Sequence, residues 1–339
     1  MIPMRRRAVV WLMASGALLT PSHLRAAQDK PASAAPVSSD QQDAAALQQA
    51  VTAATSRPSA DSLITWKGNH FIQSQDNHVY IPFTFIVDRK QVPATTTAIY
   101  IRAVSRAAAA TAATAVTAAA KIAWESTSWV DIPANGQISR AIALPPGAYD
   151  LYVAVKDKGA SPQTARIGVL RHELTVPVLP STELSTSSVI LATSLEQMAT
   201  PLPPDKQQDN PYVFGPLKVQ PSIDGVFAQA GDLQVLFWIY GASQTAGKPD
   251  VQVDFSFFQR LPATDAEKEK YFNRTNPQEL NARTLPAEFN LGSGHQLLSS
   301  LSVPLTTFPP GLYRLEIKVT DRPSGKSLTS NVTFEVSAV

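Results

Sequence analysis

Beyond Ser62 the chain alternates between apolar and polar positions with a period of two. The clearest run places Tyr313, Leu315, Ile317 and Val319 on one face and Arg314, Glu316 and Lys318 between them, the pattern of a half-buried antiparallel strand. Val332, Phe334 and Val336 alternate with Asn331, Thr333 and Glu335 to predict the next strand, and Asp321-Arg322-Pro323-Ser324-Gly325-Lys326 supplies the turn of a hairpin between the two. Val79, Ile81, Phe83 and Phe85 keep the same period, as do Leu233, Val235, Phe237 and Ile239. Phe237-Trp238-Ile239-Tyr240 is apolar on both faces and reads as a central strand, with Trp238 either in a core or at a contact between modules.

These patterns recur along the chain. Pro145-Pro146-Gly147-Ala148-Tyr149-Asp150-Leu151-Tyr152-Val153-Ala154-Val155-Lys156-Asp157 aligns with Pro309-Pro310-Gly311-Leu312-Tyr313-Arg314-Leu315-Glu316-Ile317-Lys318-Val319-Thr320-Asp321 at a constant offset of 164. The upstream runs match at an offset of 154, and the strand after each ends in Ser105-Arg106 or Gln259-Arg260. A duplication follows, with extra material in the second copy between Leu261 and Leu291. There Thr264-Asp265-Ala266-Glu267 forms a capping box that predicts a short charged helix through Phe272. The first copy instead carries Ala107 to Ala120, in which ten of fourteen residues are Ala. That segment reads as a low-complexity insertion, with a partner-binding helix as the alternative.

The first 61 residues have a different character. Arg5-Arg6-Arg7, the apolar run Ala8 to Leu19 and the small-residue site Leu24-Arg25-Ala26 match a secretory signal peptide over residues 1–26. Residues 27–61 are rich in Ala, Gln, Ser, Asp and Pro, too poor in bulky apolar side chains to build a core, and predict a disordered linker. Within it Ser39-Asp40-Gln41-Gln42 resembles a capping box, and Leu47 and Val51 stand four apart, so one short helix is expected, either transient in a flexible spacer or docking on a partner.

The Pro-Pro-Gly-x-Tyr-x-Leu motif resembles the penultimate strand of immunoglobulin-like and fibronectin-III-like sandwiches, entered through a tight turn. The resemblance implies that Tyr149 and Tyr313 are tyrosine corners, each hydroxyl closing back on nearby backbone. Together with Ser187 to Ala192, Leu217 to Pro221 and Leu233 to Gly241, the second copy is similar to the Ig-like module of uncharacterised secreted proteins of Acidobacteria and related soil bacteria, where it also occurs beside von Willebrand A-like or Gly-Trp-x-Thr-Asp domains. Neither the Gly-Trp-x-Thr-Asp motif nor an Asp-x-Ser-x-Ser metal motif is present here. The resemblance covers residues 180 to 339 and, more weakly, 62 to 180. It implies a fold and a compartment but no reaction.

Composition narrows the chemistry. The chain has no Cys, which excludes a disulfide scaffold, thiolate zinc sites and a Cys nucleophile. Removing the four arginines of residues 1–26 leaves 25 basic against 27 acidic residues and a net charge of −2, which gives nucleic-acid binding no electrostatic footing. After cleavage no apolar run reaches the roughly 18 residues of a membrane span. His70, His78, His172 and His295 show no metal-ligand spacing, and no nucleophile elbow, P-loop or dinucleotide motif occurs. Asp157 and Asp321 recur at strand ends before Gly-containing turns, where they either cap the turn or offer a Ca²⁺ ligand. Trp124 and Trp129 flank the polar stretch Glu125 to Ser128 and are either core residues or a sugar-stacking platform.

The expected architecture is all-β: two tandem Ig-like antiparallel β-sandwiches, residues 62–180 and 181–339, behind a signal peptide and a linker. The expected function is non-enzymatic, without cofactor or metal, in the periplasm or outside the cell. It would be protein binding, adhesion or envelope scaffolding, with a protein or polysaccharide of the cell envelope as partner. A carbohydrate-binding module pair is the alternative, and a hydrolase assembled from distant carboxylates the third reading.

Overall fold

A computed structural model describes residues 38–338 apart from 57–62, 75–76, 107–120, 162–164, 181 and 261–267. The proposed signal segment, the Ala-rich insertion and the capping box at Thr264 lie outside the described residues. Among the described residues the chain is an all-β protein of mainly antiparallel sheets with one α-helix.

The helix, α1 (Ser39–Ser56), comes first. Eight strands follow: β1 (Ile64–Asn69), β2 (Ile72–Gln73), β3 (Val79–Val87), β4 (Thr96–Ser105), β5 (Ile122–Asp131), β6 (Gln137–Leu144), β7 (Gly147–Asp157) and β8 (Gly168–Val176). β1, β2 and β6 pair with β3 in one sheet, and the order β5-β4-β7-β8 makes the other. Their inner faces share one core of Ile81, Phe83 and Phe85 from β3, Ile99 and Ile101 from β4, Ile142 from β6 and Leu151, Val153 and Val155 from β7. The segregation of β4, β7 and β8 from β1, β3 and β6 is that of C, F and G from A, B and E in an Ig-like sandwich.

The same arrangement recurs further along with more strands. β9 (Ser185–Thr186) and β10 (Ile190–Gln197) flank β14 (Asp232–Tyr240), which pairs on its other side with β20 (Leu297–Pro304). β12 (Leu217–Pro221) and β11 (Val213–Phe214) extend that sheet beyond β10. Opposite it, β13 (Val226–Ala228), β22 (Lys326–Ser337), β21 (Gly311–Asp321), β17 (Val251–Arg260) and β18 (Glu269–Arg274) lie in that order. β19 (Gln278–Leu280) also pairs with β17, and β15 (Gln244–Thr245) and β16 (Lys248–Pro249) form a small hairpin. A second core holds Leu233, Val235 and Phe237 against Val253, Phe255, Phe257, Leu315, Ile317 and Phe334.

Both repeated motifs occupy 11-residue strands with the tyrosine third, opposite Ser105 in β4 and Gln259 in β17. Gly147 and Gly311 start these strands at φ +154° and +146°, a region that disfavours any side chain. The Tyr149 hydroxyl donates to the Pro145 carbonyl at 3.0 Å and the Tyr313 hydroxyl to the Pro309 carbonyl at 2.7 Å.

Two sequence expectations are corrected here. Residues Glu269–Arg274 form β18 rather than a helix through Phe272. Their local charge pattern yields to backbone pairing with β17, which turns Phe272 toward the core and Tyr271 onto Phe258 at 5.9 Å. The stretch expected to be a disordered linker carries the 18-residue α1, docked on its own sandwich. Its capping box is reciprocal between Ser38 and Gln41, one residue earlier than Ser39-Asp40-Gln41-Gln42 suggests. Leu47 and Val51 are fully buried against Ala98, Tyr100, Val104, Tyr152 and Ala154 on the outer face of β4 and β7.

Candidate functional site between the sandwiches

β14 is apolar on both faces because both are covered. Leu233, Val235, Phe237 and Ile239 point into the second core, whereas Leu236, Trp238 and Tyr240 join a separate cluster with Ile72 of β2, Ile190, Val219 and Tyr212. Tyr80 and Leu179 pack on its margin. This cluster joins the two sandwiches, and Trp238 belongs to it, 4% exposed.

Polar contacts tie the junction on both sides. The Gln73 amide donates to the Tyr240 hydroxyl at 2.9 Å, and the Phe71 amide donates to Ser188 Oγ at 2.8 Å while the Ser188 amide returns a bond to the Phe71 carbonyl. The Tyr80 hydroxyl donates to the Pro211 carbonyl at 3.0 Å, and Gln73 Nε2 donates to the Leu179 carbonyl at 3.0 Å. His70 Nδ1 lies 3.1 Å from the Tyr212 hydroxyl with the two rings edge to face. Burial pushes the His70 imidazole down to about 4 and the Tyr240 phenol up to about 12, and raises the Tyr212 phenol as well. All three groups are therefore neutral near pH 7, and charge enters the junction instead through the buried Arg140 of β6, whose guanidinium lies 3.4 Å from Asp209.

A cleft of about 750 Å³ opens beside this junction. Trp238, Phe214 and Tyr80 form its aromatic wall: Phe214 meets Trp238 at 4.8 Å and Tyr80 at 6.4 Å, edge to face in both cases. Gln73, Gln207 and Gln296 supply amides, and Gln207 Nε2 is spent on the Val213 carbonyl at 2.7 Å, which fixes the loop before β11. No carboxylate, amine, guanidinium or imidazole lines the cleft among the described residues. Hollows of about 310 and 300 Å³ adjoin it through Gln73, the first also sharing Gln296.

The residues singled out by sequence lie elsewhere. Trp124 and Trp129 both sit on the edge strand β5, but five residues of alternation put them on opposite faces. Trp124 packs toward the first core opposite Ala103, and Trp129 packs beside α1 opposite Ala98. They form no common platform, which corrects that reading. Asp157 Oδ1 accepts from the Ala94 amide at 3.0 Å, so it clamps the loop before β4. Asp321 Oδ2 accepts from the Ser243 amide at 3.2 Å and from Ser324 Oγ in its own turn. No group of three or more His, Asp or Glu able to hold a metal occurs among the described residues. His172 stacks on Trp66 at 4.0 Å, and His295 Nδ1 accepts from the Asn290 amide. None of these imidazoles faces a serine or carboxylate in the geometry of a nucleophile and its base.

Sequence reasoning missed the cleft. Phe214 and Gln207 lie in a stretch without period, and only the two-faced apolarity of Phe237-Trp238-Ile239-Tyr240 signalled a second covered surface.

No family model matches the chain, and no curated protein matches it. Among solved structures the chain is similar to a mutant of Salmonella alpha-2-macroglobulin, at 13% identity and a TM-score of 0.23, over 81% of this chain and 16% of that one. A likeness at that level carries neither fold nor function across.

Proposed function

We propose that the protein is a non-enzymatic binding protein of the periplasm or cell exterior, exported through residues 1–26 and serving adhesion or envelope scaffolding, with the inter-sandwich cleft as its recognition surface. The observation that carries this reading is the cleft itself. It is walled by rings on strands, with amides from β2 and from the loops before β11 and β20, and no charged group lines it among the described residues. Such a surface suits recognition of a ligand more than bond-breaking chemistry, which needs a placed acid, base or nucleophile. The basic and apolar pattern of residues 1–26 supports export.

The test is a photo-crosslinking residue at Gln296 in the full-length protein, made in an exporting host. A discrete envelope-derived adduct, absent when the residue is moved to Ser337 at the far end of the second sandwich, is the expected result. Equal labelling at both positions, or turnover of an envelope polymer by the purified protein, would overturn the reading.

A further inference from the structure

The cleft has a composition that selects its occupant. Its lining includes three rings in series and three glutamines and carries no formal charge among the described residues. The neutrality continues beyond it: from Leu291 to Tyr313 the chain holds no Asp, Glu, Lys or Arg, and β20 offers Ser300 and Ser302, the latter accepting from Gln234 Nε2 at 2.8 Å. An ionic ligand would lose hydration here without a counter-charge. A purely apolar ligand would leave amides unpaired. The Gln296 side chain makes no hydrogen bond within the described residues, and Gln73 commits its Nε2 to Leu179 while its Oε1 accepts none from them.

An extended peptide is also poorly served. The strands bordering the cleft, β2 and β11, are two residues long each, too short for the main-chain ladder that gives strand addition its affinity. A pyranose ring meets both demands. Its C–H face packs on an aromatic ring, and its hydroxyls both donate to and accept from amides. The adjoining hollows, reached through Gln73 and Gln296, extend the surface to more than one ring.

We propose that the cleft binds an uncharged oligosaccharide chain, with the half-buried Phe214 as the stacking ring and Gln296 and Gln73 as hydroxyl partners. This rests on the reading of the cleft as a recognition surface and names its ligand class.

The experiment is titration calorimetry of the mature chain, with tryptophan emission followed in parallel. The probes are neutral hexasaccharides of glucose, xylose and N-acetylglucosamine, an oligogalacturonate and a neutral serine-rich peptide. At least one neutral hexasaccharide is expected to bind, to shift Trp238 emission and to keep its Kd from low to high salt. Gln296→Ala removes a side chain without internal partners and should weaken Kd about five-fold, the equivalent of one hydrogen bond. Phe214→Ala should weaken it about ten-fold or more. Should Phe214→Ala fail to fold, Gln296→Trp, which fills the mouth, must abolish binding. Binding of the oligogalacturonate or the peptide alone overturns the proposal, as does a neutral saccharide that binds all these variants like wild type. If no saccharide binds but the Gln296 adduct forms, the ligand class is wrong and the binding function stands; loss of both retires both.

Discussion

The outward faces of β7 and β21 show what separates two otherwise matching strands. At the offset of 164, Asp150, Tyr152, Ala154 and Lys156 stand where the second strand has Arg314, Glu316, Lys318 and Thr320. The second set meets solvent and neighbouring charges: Arg314 donates to Glu269 at 2.7 Å and to Glu316 at 2.9 Å and lies 4.2 Å above the Phe258 ring. In the first set Asp150 pairs with Arg171 at 2.9 Å, and the other three are roofed by α1. Tyr152 and Ala154 pack under Leu47 and Val51, and the buried Lys156 ammonium pairs with the equally buried Asp43 and donates to the Ala160 carbonyl at 3.0 Å. Asp43 also accepts from the Gly159 amide at 2.8 Å. One strand pattern therefore serves two environments, and the outward residues record which is covered.

The inward residues are common to both, so the comparison breaks first at the corners. Tyr313 is fully buried, stacked 5.4 Å from Phe334 and edge-on to Phe308 and Phe272. Tyr313→Ala should cost about 3 to 5 kcal/mol through the cavity it leaves, and Tyr149→Ala a similar amount. Chemical denaturation of the full chain, with hydrogen exchange to assign the opened sandwich, measures both. A cost under 1 kcal/mol at either site would mean that the two corners are not equivalent supports.

The roof is the next point to break. Asp43→Ala strands the Lys156 charge in an apolar site, where breaking one partner of a buried pair costs about 3 to 5 kcal/mol. The loss is capped by the docking free energy of α1, because the helix can detach and return Lys156 to water, so about 3 kcal/mol is expected. Its readout is rapid exchange of α1 amides with the rest of the chain still protected. Replacing both partners, Asp43→Leu with Lys156→Met, should restore docking, since an apolar pair of similar volume needs no desolvated charge. Continued detachment in the double variant would show that the ion pair itself holds the helix.

A third test separates the junction from both sandwiches. The His70 imidazole sits near 4 when folded, below its ordinary 6.5 when unfolded. Between these values the unfolded chain binds a proton that the folded chain refuses, so stability is full above pH 6.5, falls as pH drops toward 4 and levels off below. The loss amounts to about 3 kcal/mol over that window. His70→Gln should flatten this part of the stability curve, and an unchanged slope would place the titrating group elsewhere.

How much of this the sequence disclosed depends on the range of the interactions. The β21–β22 hairpin was legible because its alternation and its turn are local, and it pairs from Asp321 with Lys326 to Gly311 with Val336. The motif at Tyr149 was legible because it repeats. The roof left a trace in Tyr152 and Ala154, apolar where Glu316 and Lys318 are charged, but the trace names no partner, and α1 looks too Ala-rich to bury anything. Small side chains are what let it lie close to the sheet. The cleft is less visible still, since Tyr80 reaches Pro211 across 131 residues and no local period encodes that meeting.

The smallest expected effect sharpens the contrast between the two faces. Glu269 and Arg314 form the nearest counterpart of Asp43 and Lys156, an acid–base pair across the outward face, yet their side chains are 24% and 18% exposed where the roofed pair shows 2% and 1%. Water screens the exposed pair and keeps each member solvated when the other is lost. Arg314 also retains Glu316, the Asn331 side-chain oxygen and the Phe258 ring as partners. Glu269→Gln should therefore cost about 0.5 kcal/mol, within the range for partly exposed pairs, and the cost should shrink further at high salt. Urea denaturation at low and high salt measures it. A salt-independent loss above 2 kcal/mol would show that the open face carries a desolvated pair of its own, and that roofing by α1 is not what divides the two strands.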